Sequence, residues 1–135
     1  MAVWGIGAYF LGTEEDKSKE FVKENRIIIG YQKEEHPEYY KMLYSIKPCD
    51  IVFIKARYMK NKPLKVKAIG IVISDKPSVE NGLYGREGIK VKWIKDFTDN
   101  PIDLEKGNDN DGSTKSIYQE TDSNILYNIA QLLNL

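Results

Sequence analysis

The stretch Cys49–Ser74 constrains the fold more than any other part of the chain. It contains two apolar runs rich in β-branched residues, Ile51–Ile54 and Val66–Ile73, with turn residues around them. Such runs are typical of strands that are covered on both faces or closed into a barrel. The stretch therefore predicts two buried strands joined by a loop.

The loop and its borders are basic, with no acidic residue from Ile51 to Ser74. The basic residues of this segment are Lys55, Arg57, Lys60, Lys62, Lys65 and Lys67. The chain as a whole is neutral, with 20 basic and 20 acidic residues, so bulk charge does not indicate nucleic-acid binding. A nucleic acid would have to bind at a local patch, and this loop is the candidate. The alternative is a solvated hairpin tip whose lysines serve solubility.

Length and composition predict one globular domain over residues 1–135, because 41% of the residues are hydrophobic. A single cysteine, Cys49, excludes an intramolecular disulfide, and its place before an apolar strand predicts that it is buried. His36 is the only histidine, so we expect neither a metal nor a cofactor. The chain has no signal peptide and no apolar run of roughly 18 residues, which predicts a cytoplasmic protein without a membrane partner.

The rest of the chain predicts a mixture of helices and strands. Helices are expected from Thr13 to about Asn25, from Pro37 to Ile46, and after a cap at Thr121 or Asp122. Further strands are expected at 2–10, 27–31, 89–94 and 116–119, with an extended segment at 101–104. Residues 75–88 read as a turn and a flexible connection, and 106–114 as a mobile loop.

The sequence carries no recognised catalytic motif. A P-loop, a nucleophile elbow, a zinc-protease motif and a dinucleotide-binding motif are all missing. Asp50 is the acidic residue nearest to a buried strand, and its position favours a role in a turn or cap. The sequence therefore favours a binding protein over an enzyme.

The order of the short motifs along the chain resembles a known superfamily. A tryptophan-bearing first strand is followed by Ile-Ile-Ile-Gly-Tyr at 27–31 and Asp-Ile-Val-Phe-Ile at 50–54. Ala-Ile-Gly-Ile-Val at 68–72 and Val-Lys-Trp-Ile at 91–94 come next. This order is similar to the PUA-like superfamily, in the branch of EVE and YTH domains, and to the base-reading modules of McrB-type restriction ATPases. The resemblance spans Val3 to Leu104, although Cys49 stands where these families have a glycine.

The resemblance implies an α+β fold with a curved, partly closed β-barrel flanked by helices. It also implies a nucleic-acid-binding module that reads a flipped or single-stranded base, modified or not, in an aromatic pocket. The residues implied for the base pocket are Trp4, Gly5, Tyr31 and Tyr58. Those implied for phosphate binding are Lys55, Arg57, Lys60 and Lys62. The expected partner is DNA or RNA, with any effector on a separate chain.

Two other functions remain open at the level of sequence. Some PUA-like relatives of the ASCH type hydrolyse modified nucleosides, and here Lys55 with Glu20 or Glu24 would be the candidate pair. The other alternative is a protein-interaction module whose basic loop is only solvated.

Overall fold

The structure, a computed structural model, describes residues 1–57, 59, 61–105 and 113–134. These residues form an α+β fold of ten strands and three helices. The strands are β1 (Val3–Gly7), β2 (Tyr9–Phe10), β3 (Glu15–Asp16), β4 (Arg26–Ile28), β5 (Ile51–Ala56), β6 (Leu64–Val72), β7 (Ser78–Leu83), β8 (Arg86–Asp96), β9 (Ile102–Leu104) and β10 (Ile117–Gln119). The helices are α1 (Ser18–Glu24), α2 (Pro37–Ser45) and α3 (Ser123–Leu132).

The main sheet is mixed and curls into a half-barrel. Its strands follow the order β10-β1-β5-β6-β8-β4, while β7 pairs with β8 and β9 pairs with β6. The pairing of β1 with β5 is parallel, and the other pairings of this sheet are antiparallel. The short strands β2 and β3 form a separate two-stranded sheet. The predicted α+β class and the curvature of the sheet are thus confirmed.

Strand β5 is buried along its whole length because both faces of the sheet are covered. On one face Val52 and Ile54 pack in a cluster with residues of α1 and α2. On the other face Ile51 and Phe53 pack with Ile125 of α3. The side chains alternate between the faces, as the two-residue period of a strand requires. The prediction of a central strand covered on both faces is confirmed.

The first helix begins later than the sequence predicts. Residues 13–16 were expected to form its first turn, but Glu15 and Asp16 form β3, which pairs with β2. The Asp16 carboxylate then accepts a hydrogen bond from the Ser18 N–H at 2.9 Å, at the first residue of α1. The helix ends at Asn25 as expected, in the left-handed conformation with φ of 56°.

Residues 75–88 form most of a β-hairpin where the sequence indicated a flexible connection. Strands β7 and β8 are joined by Tyr84 and Gly85, which both have positive φ, 57° and 75°. Two successive residues with positive φ suit the tight turns that match the twist of a hairpin. The sequence analysis was wrong here because Tyr84 and Gly85 form a tight turn between two paired strands and not part of a flexible connection.

The two remaining helices agree with their sequence signals. Helix α2 has Pro37 in its first turn, and α3 is capped by Asp122, which accepts hydrogen bonds from the Asn124 and Ile125 N–H groups. Among the described residues, no helix has the length and apolar character that crossing a membrane requires. Most of the predicted mobile loop, residues 106–112, lies outside the described part of the chain.

Cys49 differs from its prediction. The residue is exposed, and its φ of 74° places it in the left-handed region. It lies in the tight turn before β5, where the Asp50 N–H donates to the Lys47 carbonyl. The turn places the cysteine side chain outside the core, so the prediction of a buried Cys49 was wrong.

Candidate functional site

A pocket of about 130 Å³ lies where β1 and β5 end. The residues that line it are mostly basic or aromatic, and none of the described ones is acidic. The basic residues are Lys55, Arg57, Lys67 and Lys115, and the aromatic ones are Tyr9 and Tyr31. Three lysines, one arginine and two tyrosines from distant parts of the sequence therefore line one small volume.

A β-bulge places two of these lysines at the pocket. Ile54 pairs with Ala68, but the next residue of β5, Lys55, pairs with Val66. Lys67 is therefore the extra residue on β6. A bulge bends the strand and re-aims the side chains beside it. Both Lys55 and Lys67 line the pocket at this irregularity.

Lys55 is the most unusual side chain of the site. It is only 6% exposed. Among the described residues, none has a hydrogen bond or ion pair with its ammonium group. Burial without a compensating charge disfavours the protonated form and lowers the pKa of Lys55 to about 8. Charged residues are rarely buried unless they are paired, so this ammonium group is the strongest functional signal in the structure.

Gly7 leaves open the space next to the Lys55 ammonium group. The two residues are register partners in the parallel pairing of β1 with β5. A β-carbon built at Gly7 would lie 3.7 Å from Lys55 Nζ. A side chain larger than a methyl group at this position would therefore fill the space above the lysine.

Two other lysines of the segment are already engaged. Lys67 Nζ lies 2.6 Å from an Asp16 carboxylate oxygen, and Lys65 Nζ lies 2.8 Å from one of Asp103. The segment lacks acids in sequence, but the fold brings acids to it from other strands.

Arg57 is also not a free cation. It is 3% exposed, and its guanidinium group donates to the Lys62 carbonyl and, at 2.6 Å, to Ser113 Oγ. In this conformation the guanidinium group is held by contacts within the chain, although Arg57 also lines the pocket, and its phosphate role stays a prediction. Lys62 lies exposed in the loop, while Tyr58 and Lys60 lie outside the described residues.

An aromatic cluster adjoins the pocket through Tyr31. The Tyr31 ring centroid lies 4.4 Å from that of His36, and the His36 and Tyr39 rings are stacked at 4.5 Å with an angle of 16° between their planes. These three side chains, the Tyr31–His36–Tyr39 cluster, are partly exposed. The sequence analysis identified Tyr31 as a candidate but did not connect His36 or Tyr39 to it.

The structure places Trp4 and Gly5 in the interior of the sheet and not at the pocket. Trp4 is 6% exposed, and its indole N–H donates to the Asp50 carboxylate at 3.0 Å. A β-carbon at Gly5 would overlap the Tyr118 ring, so the close approach at this glycine comes from the chain itself. Neither residue presents a surface to a ligand in this conformation.

Asp50 organises the start of β5, as the sequence suggested. Its carboxylate accepts hydrogen bonds from the Ala2 N–H, the Lys47 N–H and the Trp4 indole N–H, each at 3.0 Å. Burial disfavours the ionised carboxylate, but these three donors outweigh it and lower the pKa of Asp50. Asp50 therefore serves the fold and is not a candidate acid or base.

The acid–base pair suggested for a hydrolase is not assembled. Glu20 lies 3.5 Å from Lys17, and neither Glu20 nor Glu24 lines the pocket that contains Lys55. Within the described ranges, no group of three His, Cys, Asp or Glu side chains is arranged to hold a metal ion.

Several residues of the pocket were not predicted as a site. Gly7, Lys67 and Ser116 reach it through strand pairing and through the bulge, which no local pattern reveals. The signals available in the sequence were a glycine inside a strand, which indicates close approach, and the position of Lys67 in the basic segment.

The chain matches no protein-family model and no curated protein. It is similar in structure to Rpa0253 from Rhodopseudomonas palustris, which was determined by NMR. The TM-score is 0.52 with 13% sequence identity, over 98% of this chain and 95% of the other. At this level of identity the likeness extends to the fold alone. The two chains therefore share an arrangement of helices and strands over nearly their whole lengths.

Proposed function

We propose that this chain is a PUA-like module of the EVE/YTH type that binds nucleic acid by holding one nucleotide at the Lys55 pocket. The observation that carries the proposal is the Lys55 side chain, which is 6% exposed and has no hydrogen bond or ion pair among the described residues, in a pocket that Tyr31 also lines. An exposed ring can stack on a base of a flipped or single-stranded nucleotide, and an ammonium group can bind its phosphate. The curved mixed sheet with helices on both faces is compatible with the PUA-like fold.

The expected energies are sufficient for such binding. Stacking of a base on an aromatic side chain contributes about 1–3 kcal/mol. Extruding a base from a duplex costs a few kcal/mol, and less from a mismatch or a single strand. One or two rings with one phosphate contact therefore favour single-stranded or already unpaired nucleotides over intact duplex.

The two alternatives have less support. A hydrolase would need a general acid or base near Lys55, and no described residue lining the pocket carries a carboxylate. A protein-interaction module would not explain why a lysine is 6% exposed without a partner among the described residues. Both alternatives are distinguishable from the proposal by direct binding measurements.

The proposal is tested by fluorescence anisotropy of short labelled DNA and RNA oligonucleotides, single- and double-stranded, with and without base modifications, over a series of salt concentrations. We expect single strands to bind more tightly than intact duplex. Replacing Tyr31 by Leu should lower the affinity about 5- to 100-fold, whereas Tyr31→Phe, which keeps the ring, should bind like the wild type.

Lys62, in the exposed loop between β5 and β6, allows an independent test of phosphate binding. Lys62→Ala should weaken binding by a similar factor for all sequences and reduce the salt dependence by about one charge. If no oligonucleotide binds at low salt, or if Tyr31→Leu binds as tightly as Tyr31→Phe, the proposed function is wrong. In that case a small molecule or a protein becomes the better candidate for the ligand.

A further inference from the structure

We infer that the Lys55 pocket binds a phosphomonoester, the terminal phosphate of a nucleic acid strand or of a mononucleotide, and not a phosphodiester within a strand. This inference rests on the proposed function only for the source of the phosphate. The phosphate site itself is argued from the pocket.

The first argument is the charge of the pocket. Lys55 is 6% exposed, and no described residue is close enough to pair with its ammonium group. Lys67 and Lys115 also line the pocket, and the Lys67–Asp16 ion pair offsets only one of these charges. A buried, unpaired cation in a pocket without described acids creates a potential that favours an anion over a neutral group.

The second argument is the size of the opening. The pocket of about 130 Å³ is smaller than the roughly 300–1,000 Å³ of typical sites for drug-sized ligands. It therefore suits one small ionic group and not a whole nucleotide. The base of a bound nucleotide would lie outside the pocket, against Tyr31 and the rest of the Tyr31–His36–Tyr39 cluster.

The third argument is the small fraction of Lys55 that is open to solvent, 6%. A phosphodiester carries a sugar on either side, so both sugars would have to enter with it before an oxygen reached Lys55. A phosphomonoester has three unesterified oxygens on its free side and a charge of about −1.5 to −2 at neutral pH. It can enter with its free oxygens first and bring more charge to the lysine. The geometry of the pocket therefore favours the phosphorylated end of a strand over a phosphodiester within the strand.

The experiment compares one oligonucleotide sequence with a 5′-phosphate, with a 3′-phosphate and with hydroxyl ends, together with a mononucleotide 5′-monophosphate and inorganic phosphate. Affinities are measured by isothermal titration calorimetry on the full chain. We expect at least one phosphorylated end to bind tenfold or more tightly than the hydroxyl-ended strand. Lys55→Met should remove that difference, because Met keeps the bulk of the side chain without the charge.

Two further variants distinguish the effect of the Lys55 pocket from the effect of removing any positive charge from the protein. Lys76→Met removes an exposed charge outside the pocket and should keep the full preference for the phosphorylated end. Gly7→Ala places a methyl group in ordinary contact with Lys55 Nζ and should reduce the preference without removing the lysine. Circular dichroism and thermal unfolding of each variant check that it is folded.

The preference should also fall between pH 7 and pH 9 as Lys55 loses its proton. The other charged or titratable groups at the pocket are Tyr9, Tyr31, Arg57, Lys115 and the Lys67–Asp16 pair. Any pH dependence that persists in Lys55→Met belongs to those groups or to the second ionisation of the phosphomonoester, whose pKa is about 6, so the comparison isolates Lys55.

The outcomes distinguish this inference from the proposed function. Equal binding of phosphorylated and hydroxyl-ended strands would overturn the inference and leave the nucleic-acid function standing. Binding of inorganic phosphate and the mononucleotide, lost in Lys55→Met, without any oligonucleotide binding would support the phosphate site and overturn the nucleic-acid function. If none of these ligands binds, both are wrong.

Discussion

At the scale of the residue, Cys49 shows how the burial of a side chain can be misjudged from its position in the sequence. Its position before an apolar strand indicated a small buried side chain, whereas it is exposed with φ of 74°. In the families that the sequence resembles, a glycine stands at this position. For a residue with a β-carbon, the left-handed conformation costs about 1–2 kcal/mol of free energy, whereas glycine adopts it without this cost.

We predict that Cys49→Gly is more stable than Cys49→Ala. The free energy of unfolding of the glycine variant should be higher by about 1 kcal/mol, because only the alanine variant keeps the strained β-carbon. Urea denaturation followed by tryptophan fluorescence measures the difference. Equal stabilities would show that the turn relaxes around position 49 and that the positive φ carries no strain.

The residues of the site were partly accessible from the sequence. Lys55 and Tyr31 were found because one belongs to a basic segment and the other ends a strand matched by the resemblance. Trp4 was misplaced because its hydrogen-bond partner, Asp50, lies 46 residues away in sequence. The pairing of Arg57 with Ser113 was hidden for the same reason.

At the scale of the element, a second bulge bends the centre of the sheet where β6 crosses β8. Ile69 pairs with Lys95 and Gly70 pairs with Trp93, so the register shifts by one residue between them. A β-carbon at Gly70 would lie 2.6 Å from Val91 Cγ1 and 2.7 Å from the Lys92 carbonyl oxygen. The two strands can approach this closely only because position 70 has no side chain.

We therefore expect Gly70→Ala to destabilise the protein by about 1–3 kcal/mol, the range for overpacking a well-packed interior. Gly12→Ala is the matched control, since a β-carbon there meets nothing within 4 Å, and it should change the stability by less than about 0.5 kcal/mol. Equilibrium denaturation of the two variants in parallel gives the comparison. A Gly70→Ala variant as stable as Gly12→Ala would contradict the close packing described for this bulge.

The elements themselves were predicted well where one signal dominated. Strands β5 and β6 and helices α2 and α3 follow directly from apolar periodicity and from Pro37 and Asp122 at the helix starts. The hairpin of β7 and β8 was missed because its strands are poor in apolar residues near the turn, so no apolar pattern indicated them. The late start of α1 depends on the pairing of β3 with β2, two strands of two residues each that are too short to give a pattern.

At the scale of the whole molecule, the buried Lys55 makes stability depend on pH. Below pH 8 the lysine is protonated in both the folded and the unfolded state. The free-energy cost of burying the charged group then lowers the stability by its full amount. Between about 8 and the ordinary value of 10.5, the folded state has lost the proton and the unfolded state still holds it. The free energy of unfolding must therefore rise with pH across this window.

We predict that Lys55→Met is more stable than the wild type at pH 7, by about 1–3 kcal/mol, and that the difference shrinks towards pH 10. Urea denaturation at a series of pH values measures both proteins side by side, which cancels the titration of groups common to both. A constant difference across the series would show that the ammonium group is not desolvated in the folded state. Saturating inorganic phosphate should also narrow the difference at pH 7 if the pocket binds it.

The placement of β1 between β10 and β5 has a consequence for the order of events during biosynthesis. Trp4 pairs with Val52 on one side and with Gln119 on the other, so both neighbours of this strand are made after it. The ribosome releases β1 before it has made β5 and β10, the strands whose backbone groups pair with the two edges of β1. Until β5 and β10 emerge, an apolar five-residue strand with two open edges is available to other chains. Chaperone engagement of nascent chains would protect this segment until its partners are made.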